Sequence, residues 1–437
     1  MTLYLTYAII SKINIKIDLE ILMKALFKNA VIYDDGVMKT CDMLLSDATI
    51  SVFSGESTEG ISIFENVAIL PGFCDVHVHL REPGFSYKET VESGTMAAAR
   101  GGFTAVCSMP NLSPSPDSKE NLQLQLDRIR EGAKIAVFPF GTITKGEAGI
   151  EPSDMEEIAS DVVGFSDDGR GVQSEEMMLS AMRRAKALGK PISAHCEDNS
   201  LLHGGYIHDG EYAREHGHRG ICSESEYAPI ARDVELVKKT GVDYHVCHIS
   251  AKESVEIIRK AKAEGVNITC ETGPHYLILD DSHLTEDARF KMNPPLRSPS
   301  DREEMVRGLL DGTIDMIATD HAPHSAEEKA KGLEKSAMGV VGLETAFPLM
   351  YTHFVKTGKI TLARLVELMS KNPRARFNID TDVGFTVFDL SDSYKINPED
   401  FLTKGRATPF ENETVFGRCL LTVYGGKAVY TDKKLMI

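Results

Sequence analysis

Histidine and aspartate side chains follow short apolar segments of this sequence, where they could bind divalent metal ions. One such segment is FCDVHVHL, which carries His77 and His79. Residues i and i+2 of a strand point to the same face, so both imidazoles could reach one ion. Zinc-class ions favour such nitrogens, with carboxylates completing the shell. Two core histidines bonded to the backbone are the alternative, but the His and Asp residues after other apolar segments favour a metal site.

Other apolar segments end in the residues that a second ion would need. His195 and His248 each follow a strand-like segment and together suit a second metal. Asp168 could bridge two ions, but Asp167 competes for this role, and spacing alone does not separate them because Asp-Asp-Gly is also turn chemistry. Asp320 is the natural general acid/base, since a carboxylate at a strand end could bind a metal and accept a proton from bound water.

The elements that carry these residues alternate between amphipathic helices and apolar strands. One unit is SEEMMLSAMRRAKALGK followed by PISAHCED, with Gly near the helix C-terminus. Repetition of this unit predicts a parallel sheet closed into a (β/α)8 TIM-type barrel, with catalytic groups at the C-terminal ends of its strands. A doubly wound open sheet is the alternative, but no Gly-x-Gly-x-x-Gly turn supports it. His245 lies deeper in its strand than His248, so we expect it to pack in the core.

Strands and tight turns are predicted at both ends of the chain. We predict that residues 23–72 and 377–437 pair into one small β-sandwich domain beside a barrel of residues 73–376. Residues 1–22 are interpreted as an N-terminal extension. They contain Lys and Asp within their apolar stretch and no cleavage-site pattern, so neither a membrane helix nor a signal peptide is expected.

Charge and cysteine content indicate which partners and which cellular compartment to expect. The 437-residue chain carries a net charge of −17, from 48 basic and 65 acidic side chains, so nucleic acid and anionic membranes are not expected partners. Its eight Cys residues are scattered, without a Cys-x-x-Cys pair. This distribution predicts a reduced, cytoplasmic protein rather than a disulfide scaffold.

At HVHLREPG the sequence resembles the dihydroorotases, a family of cyclic amide hydrolases. The resemblance extends from about residue 23 to the C-terminus, because further blocks match the family pattern in the same order. These blocks are GFTAVCSMPNLSP, FSDDG, AHCED, CHIS, TGPHYL, KMNPPLR, TDHAPH and GVVGLET.

The resemblance implies reversible cyclisation of N-carbamoyl-L-aspartate to L-dihydroorotate, a step of pyrimidine (UMP) biosynthesis, with two Zn²⁺ ions per chain. A hydroxide bridging the ions would attack the ring carbonyl, and Asp320 would pass its proton to the ring nitrogen. The implied metal ligands are His77, His79 and Asp320 for one ion, His195 and His248 for the other, and Asp168 for both.

The resemblance also implies a set of substrate contacts. Arg81 would bind the substrate carboxylate, since guanidinium–carboxylate pairing is bidentate. The full implied set is His79, Arg81, Asn111, Asn293, His324, Met338 and Gly339. Met338 stands where relatives often have Phe, and His275 is expected in the pocket wall. Turn or loop capping is the alternative role for the two asparagines and His324.

Two further features refine the expected site. Many amidohydrolases bridge their metals with a carboxylated Lys after the fourth strand, but VVGFSDDG has none, which favours the branch that uses Asp as the bridge. Lys145 is interpreted as a solvated loop residue. The charged segment 325–337 lacks apolar anchoring in the sequence and is predicted to be a mobile lid over the site.

Enzymes of other functions would use many of the same metal ligands. A hydantoinase or an allantoinase would use the same metal ligands, whereas Arg81, Asn111 and Asn293 favour a carboxylated substrate. A non-catalytic relative that binds a carbamoyltransferase would lose metal ligands, yet every expected position is filled. A homodimer is expected, and association with an aspartate carbamoyltransferase is a further hypothesis.

Overall fold

The computed structural model of the protein describes residues 24–46, 48–55, 58 and 61–436. The proposed extension, residues 1–22, lies outside this range. The strands are β1 Lys24–Asp34, β2 Val37–Ser46, β3 Thr49–Val52, β4 Ser62–Phe64, β5 Val67–Pro71, β6 Phe73–Val78, β7 Phe103–Ser108, β8 Ala136–Pro139, β9 Ile192–Ala194, β10 Ile207–His208, β11 Gly220–Ile221, β12 Tyr244–Val246, β13 Ile268–Thr272, β14 Met316–Ile317, β15 Phe385–Lys395, β16 Thr414–Tyr424 and β17 Lys427–Thr431.

The helices lie mostly between the parallel strands. They are α1 Val91–Arg100, α2 Lys119–Gly132, α3 Met155–Ile158, α4 Glu175–Leu188, α5 Glu211–His216, α6 Glu224–Thr240, α7 Lys252–Ala263, α8 Pro274–Ile278, α9 Pro299–Asp311, α10 Ala326–Lys329, α11 Gly332–Lys335, α12 Ala346–Met350, α13 Leu362–Val366 and α14 Asn372–Arg376. The predicted helix in the unit before His195 is α4. It begins after Ser174, whose side chain accepts a hydrogen bond from the backbone of Met177, and it ends at the left-handed Gly189.

Parallel strands close into the predicted (β/α)8 barrel. One arc contains β6, β7 and β8, and the other contains β9, β12, β13 and β14. Phe165 bridges Gly141 and Ile192 in parallel, which supplies the fourth strand position between β8 and β9. Val78 pairs in parallel with His321, which joins the first strand position to the last. The open-sheet alternative is therefore wrong, because it would leave this edge unpaired.

The two ends of the chain meet in a second sheet. Its strand order is β17–β16–β15–β5–β1–β2–β3, with β4 beside β1. The antiparallel pairing of β5 with β15 joins the N-terminal strands to the C-terminal ones. Phe27, Leu45 and Leu421 belong to its buried core. The predicted domain boundaries stay predictions.

Aromatic rings hold this sheet against the barrel. Phe388 of β15 stacks on Phe347 with ring centroids 3.8 Å apart, and Phe73 of β6 lies 5.8 Å from Phe388. Gly102 turns beside them at φ +88°, where a Cβ would approach Phe388 to 2.6 Å. Of the helices in the described part of the chain, none combines the length and the apolar character needed to cross a bilayer.

Candidate active site

The first predicted ligand group lies where the first and last barrel strands meet. His77 is the penultimate residue of β6, His79 follows this strand, and Asp320 follows β14; all three are buried. Asp320 Oδ1 lies 3.2 Å from His79 Nε2 and 3.6 Å from His77 Nε2. The i, i+2 spacing on a strand therefore brings both imidazoles toward one carboxylate.

Asp168 lies between this group and the second predicted group. Its Oδ1 is 3.3 Å from His77 Nε2, 3.6 Å from His195 Nδ1 and 3.5 Å from His248 Nε2. Its Oδ2 is 3.5 Å from His79 Nε2. The two oxygens of one carboxylate thus face both pairs of histidines, which is the arrangement that a bridging ligand needs.

Asp167 points away from the histidines. Its Oδ1 accepts hydrogen bonds from the backbone N–H groups of Ile143 (2.8 Å) and Thr144 (3.0 Å), and its Oδ2 accepts one from the Thr144 hydroxyl. The side chain stabilises this loop. Of the two aspartates that spacing could not separate, only Asp168 faces the histidine cluster.

Hydrogen bonds outside the cluster fix the orientation of two imidazoles. Glu271 Oε1 can only accept, so His77 Nδ1 donates to it at 2.8 Å and leaves Nε2 directed at Asp168. His79 Nδ1 lies 2.9 Å from Asn111 Oδ1, which leaves its Nε2 directed at the aspartates. Carboxylates and neighbours that orient ligand histidines in this way are characteristic of metal sites.

The donor set fits divalent metal ions. Within the described residues, His77 Nε2 and Asp168 Oδ1 are buried without a hydrogen-bond partner, as are His195 Nε2 and His248 Nδ1, the ring nitrogens of these two residues that do not face Asp168. His195 Nδ1 and His248 Nε2 lie only 3.0 Å apart. Buried carboxylates need positive charge nearby, and inward-facing nitrogen atoms with oxygen atoms between them can hold cations.

The charges of the cluster depend on one another. Burial alone would lower the pKa of His77, but the facing Asp168 carboxylate raises it well above the ordinary value. Burial would raise the pKa of Asp168, but the surrounding imidazoles, His77 first, hold it well below its usual range. The site therefore favours an ionised Asp168 surrounded by positive charge, whether protons or metal ions supply it.

Backbone strain is concentrated at the same place. Arg81, His248 and Asp320 adopt left-handed conformations, with φ values of +62°, +31° and +47°. Residues other than glycine seldom adopt such values unless the surrounding structure holds them there. Strain at three residues around one cavity agrees with a functional site.

A cavity of about 250 Å³ opens over the cluster. All seven predicted substrate contacts line it: His79, Arg81, Asn111, Asn293, His324, Met338 and Gly339. Gly339 has φ +137°, and a Cβ there would approach the Ala322 carbonyl oxygen to 2.6 Å. His275 was expected in the pocket wall, but it is buried and not among the lining residues; its ring lies against Tyr276 at a centroid distance of 4.0 Å.

The two cavity asparagines present opposite ends of their amides. Asn111 uses Oδ1 to accept from His79, so its NH₂ group is the end left for a ligand. Asn293 donates its Nδ2 to Glu197 Oε1 at 2.9 Å, and its buried Oδ1 has no partner within the described residues. Because a carboxylate cannot donate, Glu197 fixes which end of Asn293 remains free.

The segment 325–337 differs from its sequence interpretation. It forms α10 and α11, and Leu333 is buried in a cluster that contains Met292 and Val340. The expectation that it lacks apolar anchoring is therefore wrong. One buried leucine within a charged segment supplies too little periodicity for the sequence to reveal this contact.

Several residues of the site were not identified from the sequence. Glu197 and Glu271 orient Asn293 and His77, and their signal was a carboxylate inside or directly after an apolar strand.

His245 is buried and lies 3.0 Å from Glu271 Oε2, in agreement with the predicted core position. Lys145 is exposed, and its ion pairs within the described residues are with the nearby loop carboxylates of Glu151 and Asp154, in agreement with its interpretation as a solvated residue.

Comparisons with known proteins agree with this arrangement. A family profile described as Dihydro-orotase-like matches residues 67–254. A protein named dihydroorotase from Staphylococcus epidermidis is 48% identical over 94% of this chain and 100% of its own length. Another from Fusobacterium nucleatum is 49% identical over 94% of this chain and 99% of its own length.

Solved structures show the same fold at lower sequence identity. An L-hydantoinase (dihydropyrimidinase) from Arthrobacter aurescens has a TM-score of 0.80 at 23% identity, covering 94% of this chain and 96% of its own. A D-hydantoinase (dihydropyrimidinase) from Thermus sp. has a TM-score of 0.76 at 24% identity, covering 93% and 95%. The predicted fold class is thereby confirmed. With near-complete coverage at almost half identity to its relatives, the chain belongs to the dihydroorotase family of cyclic amide hydrolases.

Proposed function

We propose that this protein is a zinc-dependent dihydroorotase that interconverts L-dihydroorotate and N-carbamoyl-L-aspartate in pyrimidine biosynthesis. The observation that carries this proposal is the single cavity that joins a His/Asp cluster to Arg81 and two amides of fixed polarity. The cluster suits hydrolysis of an amide, and the other side chains suit a small, carboxylated, N–H-bearing ring.

Two metal ions would be held by the groups described above. His77, His79 and Asp320 would bind one, His195 and His248 the other, and Asp168 both. Bound divalent ions polarise carbonyl groups and make water a nucleophile near neutral pH. Imidazole and carboxylate ligands agree with zinc, and each of the six side chains is already buried and directed inward.

Asp320 is proposed to move the proton. Its carboxylate lies at the cavity wall beside His79, and burial would raise its pKa, but the adjoining His79 ring and the nearby imidazoles of His77 and His248 hold the pKa below the ordinary value. It is therefore ionised and able to accept the proton released by the attacking water. The protonated carboxyl then returns this proton to the ring nitrogen as the C–N bond breaks, which regenerates the starting state.

The other side chains would set the orientation of the substrate. Arg81 is fixed by donating its Nε–H to the Pro323 carbonyl at 3.2 Å, and its remaining N–H groups and the Asn111 amide N–H can bind the carboxylate. Asn293 Oδ1 can accept from a ring N–H. His324 donates from Nε2 to the Met338 carbonyl at 2.8 Å, which fixes that stretch of the wall.

Turnover of three cyclic amides by the metal-loaded protein tests this assignment. Ring opening of dihydroorotate, hydantoin and allantoin should proceed on dihydroorotate alone, and the reverse cyclisation of carbamoyl-aspartate should also be measurable. Arg81→Ala is the matched variant: it removes carboxylate binding and leaves the cluster intact, so KM should rise without metal loss. Turnover of hydantoin or allantoin without dihydroorotate would refute the proposal.

Homodimerisation, association with an aspartate carbamoyltransferase and cytoplasmic location stay predictions. The lid function of segment 325–337 also stays a prediction.

A further inference from the structure

The half-buried ammonium group of Lys329 joins the segments that form one wall of the cavity. Lys329 Nζ donates to three backbone carbonyls: Lys291 at 3.2 Å, Ala337 at 3.0 Å and Gly339 at 2.9 Å. An ammonium has three N–H donors, so these acceptors satisfy it completely. Its hydrogen-bond partners within the described residues are these backbone carbonyls. Backbone carbonyls therefore bind this group directly, and the Asp287 carboxylate acts on it only at longer range.

The three carbonyls belong to segments that supply proposed substrate contacts. Lys291 precedes Asn293 by two residues, and Ala337 and Gly339 flank Met338. The Gly339 N–H also donates to the Lys291 carbonyl at 3.0 Å, so the two segments are joined directly as well. Lys329 itself ends α10, which begins shortly after His324.

A second lysine adds a hydrogen bond between the same segments. Lys291 Nζ donates to the Glu334 carbonyl at 2.6 Å, in α11. The chain segments 291–293, 324–335 and 337–339 are thus cross-linked through side-chain ammonium groups and backbone carbonyls. None of the hydrogen bonds that Lys329 Nζ donates within the described part of the chain involves the His/Asp cluster.

We propose that Lys329 is a positioning residue for substrate binding, which fixes the Asn293, Met338 and Gly339 side of the cavity without contributing to the metal cluster. This inference rests on the proposed dihydroorotase function for its kinetic test. Its structural part, the cross-link between the segments, is independent of which substrate is used.

Three variants of the full-length, metal-loaded protein test the role. Lys329→Met keeps the length of the side chain but removes the donors, so KM for dihydroorotate should rise about tenfold or more, with kcat nearly unchanged. Lys329→Arg keeps N–H donors and should recover part of the loss. Lys331→Met, an exposed lysine of the same segment, is the matched control and should match the wild type.

Backbone hydrogen exchange supplies a readout that needs no turnover. In Lys329→Met, amides of residues 325–339 should exchange faster, whereas those of 316–320 beside the cluster should not. Unchanged KM with unchanged exchange would overturn the proposal, as would equal loss of metal content and kcat, which would indicate a general structural role. If the wild type fails to open dihydroorotate, the proposed function falls, and the exchange result alone decides whether Lys329 fixes this wall.

Discussion

At the residue scale, the side chain of Asp320 has two proposed roles, as a metal ligand and as the group that transfers the proton. Its carboxylate lies close enough to His79 to share a metal ion, and in the proposed mechanism it also accepts and returns a proton at the cavity wall. We predict that Asp320→Asn lowers kcat by about 100-fold or more, because an amide cannot take that proton. Steady-state kinetics, with thermal unfolding as the check on folding, measure this effect. Near-normal turnover would assign the proton transfer to another group.

Glu271 acts on the cluster through His77. It accepts from His77 Nδ1 and lies 3.0 Å from His245 Nε2, so two imidazoles depend on its oxygens. We predict that Glu271→Gln weakens metal binding by roughly 10–100-fold, because the amide cannot accept from both rings. Competition with a chelator of known affinity measures the change.

A suitable control for this variant is Glu286→Gln. Glu286 also pairs with a histidine, His218, at 2.9 Å, but its side chain is 66% exposed and distant from the cluster. It should bind metal as the wild type does. Equal metal affinity for Glu271→Gln and Glu286→Gln would show that the orientation of His77 does not depend on Glu271.

The sequence predicted the members of the cluster but not their supporting residues. His77 and His79 were identifiable because the two-residue repeat of a strand is local information. The choice between Asp167 and Asp168 required the loop at Ile143 and Thr144, more than twenty residues away along the chain. Long-range hydrogen bonds of this kind leave no spacing pattern.

At the scale of elements, the barrel and the terminal sheet depend on a common aromatic contact. Phe388 of β15 is buried against Phe347 and Phe73 of the barrel. We predict that Phe388→Ala lowers the free energy of unfolding by about 3–5 kcal/mol, through lost burial and the cavity left behind. Urea unfolding measures it, with Leu310→Ala, at a half-exposed position, as the control expected to change stability little.

Helices and strands could be predicted from the sequence where their hydrophobic periodicity is strong. The alternation of amphipathic helices with apolar segments identified the barrel, although the strand position at Phe165 is only a pair of bridges. The pairing of β5 with β15 spans more than 300 residues of sequence, so only the shared strand character of both ends indicated it. Leu333 in segment 325–337 was missed because tertiary contact, not local pattern, buries it.

At the scale of the whole molecule, the chain is acidic, and several of its carboxylates are buried. The net charge is −17, and Asp168, Asp320 and Glu271 are buried among imidazoles that offset them. Glu147, on the loop that follows β8, has no such partner: its Oε1 is buried without a hydrogen bond within the described residues. Burial, with Asp167 and Asp168 nearby, raises the pKa of Glu147 to about 9.

This shift makes stability depend on pH with a definite sign. The ordinary Glu pKa is 4.5, so the folded state binds the Glu147 proton more tightly than the unfolded chain does. The contribution of this group to stability is greatest below about pH 4.5 and is lost progressively as pH rises to about 9, by roughly 1.4 kcal/mol per pH unit at most.

Glu147→Gln removes this dependence because an amide stays neutral. The unfolding temperature of the metal-loaded variant should therefore exceed that of the wild type by more at pH 8.5 than at pH 5.5. Glu151→Gln, with a side chain 69% exposed on the same loop, should show no such pH-dependent difference. A constant difference between Glu147→Gln and the wild type at both pH values would mean that Glu147 keeps its charge when buried, and that the loop stabilises an ionised carboxylate there.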